Sequence, residues 1–445
     1  MPKLQQLSRL ILTNFRYCNP ADPVYHGKAV SIEVSWPNSM TEHPIDVRLA
    51  PCVEGQATPP ADGPEARMMD GGGRLWASPG WAALGVGLTD PGFEWRDDLH
   101  SLAESALQGG FTELVCWPNT KPVLDTSTAL TSLRERTQGL GPRFRFMGAL
   151  THRAEGRDMA ELLDLLEAGA VAFSDGTSPL QDPGQLLRSF EYLKPTGRRV
   201  VQLPLHRQLA SSGLVNESAA TTFLGLRQQP ALAEEFMVAQ CLQVLAYTGG
   251  KLHVSPVTTA GSLDLIRFAK AQGLDVTADT APQYLVFDDS VLAQFDTVYK
   301  VEPPLRSVRD VLALREALAE GTLDALSVQH FPQAPEDKDL EFDFAEYGML
   351  TLECAFAAVH DALVVAGHLS LERLFEVLAA GPRQVMDLEA DISRTGLTLV
   401  DPEAQWTVSR ADLRSRSRNC PWLGQSFRGR VVGTVSPAGV WLNDQ

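Results

Sequence analysis

Between residues 80 and 385 short β-branched runs alternate with amphipathic helical runs, a pattern that commits the chain to parallel strands joined by crossover helices. Eight strand candidates follow in order: Trp81–Leu88, Phe111–Trp117, Phe144–Leu150, Val171–Asp175, Val200–Leu205, Leu252–Val257, Asp275–Ala281 and Asp324–His330. The helical runs between them carry one apolar face. Met159, Leu162, Leu163 and Leu166 fall at i, i+3, i+4, i+7 behind Asp158 as a cap and before Gly169 as a stop; Val238, Cys241, Leu242 and Leu245 repeat the spacing between Pro230 and Gly249-Gly250. Eight such units predict closure rather than an open sheet. The fold class is therefore α/β: a (β/α)8 TIM-type barrel over 79–385. The ends, 1–78 and 386–445, read as short antiparallel strands around a loop-like stretch from Gly55 to Gly73, and are expected to combine into one small β-sandwich.

Charge narrows the partners. With 38 Lys+Arg against 55 Asp+Glu the chain carries a formal charge of -17, which argues against nucleic acid and anionic membranes, both of which reward clustered cations. No apolar run of about 18 residues appears, and the opening MPKLQQLSRLILTNF lacks the apolar run and small-residue cleavage site expected of a secretory signal, so a cytoplasmic location is expected. Cys18, Cys52, Cys116, Cys241, Cys354 and Cys420 are scattered without a C-x-x-C pair and read as buried free thiols. The histidines form no H-x-H, H-x-x-H or H-E-x-x-H. Arg410, Arg414, Arg416 and Arg418 read as a solvated face, and the acidic run Glu336, Asp337, Asp339, Glu341, Asp343, Glu346 as a mobile, solvated loop at the barrel mouth.

Particular fragments point further. GGFTELVCWPNTKPVLD (Gly109–Asp125), MGALT (Met147–Thr151), AGAVAFSDG (Ala168–Gly176), KVEPPLRS (Lys300–Ser307), GTLDALSVQHFPQAPEDKD (Gly321–Asp339), FDFAEYGMLTLECA (Phe342–Ala355) and GRVVGTV (Gly429–Val435) resemble, in order and spacing, landmarks of the dihydroorotases in the cyclic amidohydrolase superfamily. The resemblance covers about residues 75 to 440 and implies a barrel with a composite sandwich and a zinc centre at the mouth. The segment PGWAALGVGLTDPG has the frame of such an enzyme's first strand, but Gly85 and Gly87 stand where a metal-binding His-x-His is expected, and Thr89 where an Arg would hold the substrate carboxylate. Asp175 matches the fourth-strand Asp. Leu203 and Pro256 fall at the fifth- and sixth-strand His positions, and Gln329 replaces the eighth-strand Asp. On the substrate side Asn119 is retained, whereas Glu302 replaces an Asn.

His206, His253 and His330 lie one or three positions from these seats. Side chains alternate across a strand, so odd separation is expected to aim them away from the barrel interior. Gly, Leu and Pro offer a metal no electron pair, and Gln cannot take a proton as Asp does. No Ser/His/Asp or Cys/His spacing nominates a covalent route.

The expectation is consequently a catalytically inactive dihydroorotase homologue without metal or other cofactor, acting as a structural or regulatory subunit. The resemblance implies aspartate carbamoyltransferase as the partner, in pyrimidine biosynthesis; a homo-oligomer is also compatible. Two alternatives stand beside it: an active cyclic amidohydrolase (dihydroorotase, then allantoinase or hydantoinase) with a rearranged metal site, and a sensor of pyrimidine intermediates.

Overall fold

The computed structural model describes residues 4–36, 44–52 and 66–443. Part of the loop expected over 55–73 lies outside them. Its remainder is not all loop: Ala66–Asp70 is a strand, paired in parallel with Arg9–Tyr17.

All eight barrel strands are present, shorter than expected. They are Trp81–Val86, Phe111–Cys116, Arg143–Gly148, Ala172–Phe173, Val200–Gln202, Leu252–Val254, Val276–Thr280 and Ala325–Leu326, hydrogen-bonded in sequence order and parallel. Closure comes where the eighth strand returns to the first: the Val328 and His330 amides donate to the carbonyls of Leu84 (2.8 Å) and Gly85 (3.1 Å). Alternation then sorts the side chains. Leu84, Val115, Met147, Ala172, Val201 and Ala325 fill the barrel floor, while a larger apolar layer joins strands to helices. Trp81 anchors that outer layer, its ring fully buried beside Phe111, Phe356 and Phe375.

The helices follow their sequence signals with one shift. Leu232–Thr248 runs as its spacing requires and stops at Gly249, whose φ of 68° is the left-handed conformation glycine adopts without penalty. The helix expected from Met159 begins only at Leu162, because Met159 pairs with Thr151 in a β-bridge and the Asp158 carbonyl accepts the His152 amide.

The two chain ends form one eight-stranded sheet, in which Trp76–Pro79 bridges the N-terminal strands to Leu397–Thr407, Ser426–Ser436 and Gly439–Leu442. Leu10, Leu12, Phe15 and Ile32 share its core with Leu399, Val435 and Val440. This sheet is fastened to the first barrel helix, Leu99–Gln108: Thr434 Oγ1 donates to the Leu107 carbonyl (2.7 Å) and Trp441 Nε1 to Gln108 Oε1 (3.1 Å).

Most residues of the two charge runs are exposed, as expected of a solvated face and a solvated loop, and some are also paired. Arg410 Nη1 donates to the Ser417 carbonyl and Arg416 pairs with Asp98 at 2.8 Å. In the acidic run Asp337 pairs with Arg96 at 2.8 Å, and the Lys300 ammonium donates to the Phe342 carbonyl at 2.7 Å. Five of the six cysteines are buried and all are free thiols; Cys52 is half-buried.

Candidate functional site at the barrel mouth

The carboxyl ends of the strands surround a cavity of about 680 Å³, the position where TIM-type barrels place their chemistry. Its lining includes Thr89, Asn119, Leu203, Arg207, Arg227, Glu302, Gln329, Phe331 and Tyr347.

On the first strand the two glycines are covered from the eighth. A side-chain carbon at Gly85, where φ is 77°, would stand 2.6 Å from Gln329 Nε2; one at Gly87 would overlap the Phe331 ring. A larger residue at 87 must displace the Phe331 ring, and one at 85 must push back the end of Gln329 and hold a left-handed backbone, which is a physical reason for glycine at both. Leu203 packs with Leu205, Ala210 and Ala233, and Pro256 brings no donor. Asp175 turns from the cavity to Thr151, accepting its amide at 2.9 Å and its hydroxyl at 2.6 Å; burial raises its pKa against these bonds. Tetrahedral zinc needs about four N, O or S donors. Among the described residues no three His, Cys, Asp or Glu side chains converge on a point. The residues at the mouth do not fit a dihydroorotase-type metal centre.

Beneath Gln329 lies a polar network. Gln329 Nε2 donates to Ser255 Oγ at 3.0 Å; Ser255 Oγ and Ser327 Oγ each donate to Asp279 at 2.8 Å; His253 Nε2 meets the same carboxylate at 2.9 Å. His253 and Asp279 are fully buried, and their partners satisfy them. His253 therefore aims into the barrel, contrary to the alternation argument. The strand ends at Val254, so counting back from Pro256 carries no parity, whereas the pairing of His253 with Val201 and Thr277 puts it on their inward side. His330 lies in the wall, where Nδ1 accepts the amides of Thr351 (3.0 Å) and Leu352 (3.2 Å); His206 caps the short helix Arg207–Ala210 through Nδ1.

On the substrate side, Thr89 Oγ1 donates to the Asp97 carbonyl at 2.7 Å. Asn119 clamps the turn after the fourth strand, donating to the Asp175 carbonyl at 3.0 Å and accepting the Thr177 amide at 2.9 Å. Glu302 is a buried carboxyl at the wall: desolvation raises its pKa, opposed by Arg207, whose Nη1 lies 3.9 Å away, and by Lys300. Burial pushes the Tyr347 phenol up to about 12.

The sequence reading missed Arg207, Arg227 and Tyr347 at the wall and Ser255 and Asp279 beneath it. Arg207 follows directly on the fifth-strand segment, at the end where barrel chemistry collects, so position alone nominates it. Arg227 and Tyr347 come from long loops and carry no such signal.

A parallel barrel with an open mouth and a sheet built from both chain ends is the architecture of the amidohydrolase superfamily. The solved L-hydantoinase of Arthrobacter aurescens matches it with a TM-score of 0.80 at 23% identity, over 98% of this chain and 96% of that one. The dihydropyrimidinase of Brevibacillus agri matches with a TM-score of 0.77 at 18% identity, over 97% and 94%. At these identities the likeness is one of fold. No family model matches the chain. Sequence relatives are more specific: a dihydroorotase of Pelotomaculum thermopropionicum is 36% identical over 384 residues (85% of this chain, 90% of that one), and one of Anaeromyxobacter dehalogenans 40% over 382 residues (83% and 87%). A third, from a Geobacter species, is 35% identical over 400 residues (88% and 93%). The chain belongs to the dihydroorotase family.

That finding corrects the expectation of an inactive structural or regulatory subunit of aspartate carbamoyltransferase. Relatives this similar, over this much of both chains, are named as enzymes, and they favour the alternative of a cyclic amidohydrolase. Among the described residues no helix is long and apolar enough to cross a membrane.

Proposed function

We propose that this chain is an amidohydrolase that opens or closes a cyclic ureide of the dihydroorotate kind in its mouth cavity. The relatives named dihydroorotase support the substrate class, and the observation that carries the reading is the mouth cavity itself, with Glu302 and Arg207 side by side on its wall. Arg207, half-exposed, supplies a planar cation suited to a substrate carboxylate. Glu302, its pKa raised by burial, takes a proton from attacking water and returns it to the departing ring nitrogen, the work of a general base and then acid. Asn119 holds the Asp175–Thr177 turn that forms the adjacent rim.

The test is turnover of dihydroorotate and, in reverse, carbamoyl aspartate by the purified chain. Glu302→Gln is expected to lower kcat by about 10²-fold with binding retained, the usual scale of a lost acid–base group. Arg207→Gln is expected to weaken substrate binding, and chelator to leave the rate unchanged. No turnover of dihydroorotate, hydantoin or dihydrouracil by the intact protein would sink the reading.

A further inference from the structure

At the end of the barrel opposite the mouth, a cleft of about 180 Å³ is lined by Arg134, Arg143, Arg145 and Arg394, in a chain whose formal charge is -17. Arg143 and Arg145 begin the third barrel strand, Arg134 lies in the last turn of the helix Ser127–Arg136 before it, and Arg394 comes from the short helix Ile392–Thr395 that leads into the C-terminal strands. Pro437 and Ala438 of the final hairpin complete the wall. A fifth arginine, Arg383, lies buried behind.

These guanidinium groups share few anions. Glu113, 1% exposed, takes Arg145 Nε at 2.8 Å, Arg383 Nε at 3.4 Å and Arg143 Nε at 4.0 Å. Glu389 takes Arg143 Nη2 at 3.1 Å and Arg394 Nε at 3.7 Å. Among the described residues, four of these five arginines form ion pairs, and those pairs use only two carboxylates, Glu113 and Glu389; Arg134 donates instead to the Ala168 carbonyl, so five positive charges stand against two negative ones. Three of the donors also lack a hydrogen-bond partner among those residues: Arg143 Nη1, Arg383 Nη2, and Arg383 Nε, which keeps only its 3.4 Å ion contact to Glu113. Buried unpaired cationic donors are costly, and an oxyanion supplies the missing acceptors in the geometry a guanidinium fork prefers. Gly139 leaves room for it, with no atom within 4 Å of where its side chain would start.

We propose that this cleft binds a dianionic oxyanion, either inorganic phosphate or the phosphate of a small ester, at a site separate from the mouth. The assignment does not depend on the reaction proposed above.

Titration calorimetry of the full chain with inorganic phosphate and with glycerol phosphate tests it, with sodium chloride at matched ionic strength as the control. One saturable site per chain is expected. Arg134→Gln and Arg394→Gln, both at exposed positions, are each expected to weaken binding about tenfold, the loss of one charge-assisted hydrogen bond. Tighter binding of glycerol phosphate assigns the cleft to esters, and equal binding assigns it to the free ion; both support a phosphate site. Absence of saturable heat with either probe, or unchanged affinity in the double variant with folding intact by circular dichroism, overturns it.

Discussion

His330 shows how one buried side chain sets a pH limit on this molecule. Its Nδ1 accepts two backbone amides, and burial lowers its pKa from 6.5 to about 4, so the ring is neutral in the folded protein. In the unfolded chain the ring binds a proton below about pH 6.5. Stability from this residue is thus fully present above that pH and is lost as pH falls toward 4, by about 3 kcal/mol. Asp97, whose pKa burial raises, contributes in the opposite sense. Urea denaturation at pH 7 and pH 4.5 is expected to show a steeper loss in the native chain than in His330→Asn; equal slopes would count against the assignment. The same scale shows what was legible. The seats at Gly85, Gly87, Leu203, Pro256 and Gln329 can be found by counting along the sequence, but Asp279 is one polar letter within VTADTA, and its three donors arrive from positions 253, 255 and 327. Nothing local signals that convergence.

At the scale of elements, the first and eighth strands fit each other through absent side chains. Gly87→Ala is expected to destabilise the fold by about 1–3 kcal/mol, because its methyl must displace the Phe331 ring. Phe331→Ala in the same chain should recover part of that loss, giving a non-zero coupling in a double-mutant cycle. Strictly additive effects would mean the two do not meet. The strands themselves were legible because each is an apolar run bounded by turn residues. Their ends were not: the fifth strand stops at Gln202 rather than Leu205 and the sixth at Val254 rather than Val257, each just short of a proline, Pro204 and Pro256, that has no amide with which to continue the ladder. That difference is why alternation misplaced His253.

At the scale of the whole molecule, the barrel and the terminal sheet share one fate. The strands Ser426–Ser436 and Gly439–Leu442 cover the helix Leu99–Gln108 through Thr434, Trp441 and Asn443. Deleting residues 426–445 is expected to abolish soluble folded protein rather than leave a working barrel; a truncated chain with a cooperative thermal transition would refute this coupling. Function was the least legible level. Vacant seats on aligned strands pointed to an inactive chain, yet relatives across most of its length are enzymes; Glu302 and Arg207 can each be found by position, but their approach to 3.9 Å is made by the fold and no linear pattern encodes it. The interlocking of Gln329 over Gly85 and Phe331 over Gly87 also bears on protein engineering. An imidazole introduced at Gly87 alone meets the Phe331 ring, and one at Gly85 meets the end of Gln329, so a zinc-binding pair is grafted onto this scaffold with least strain when both strands are rewritten together, four codons in one move.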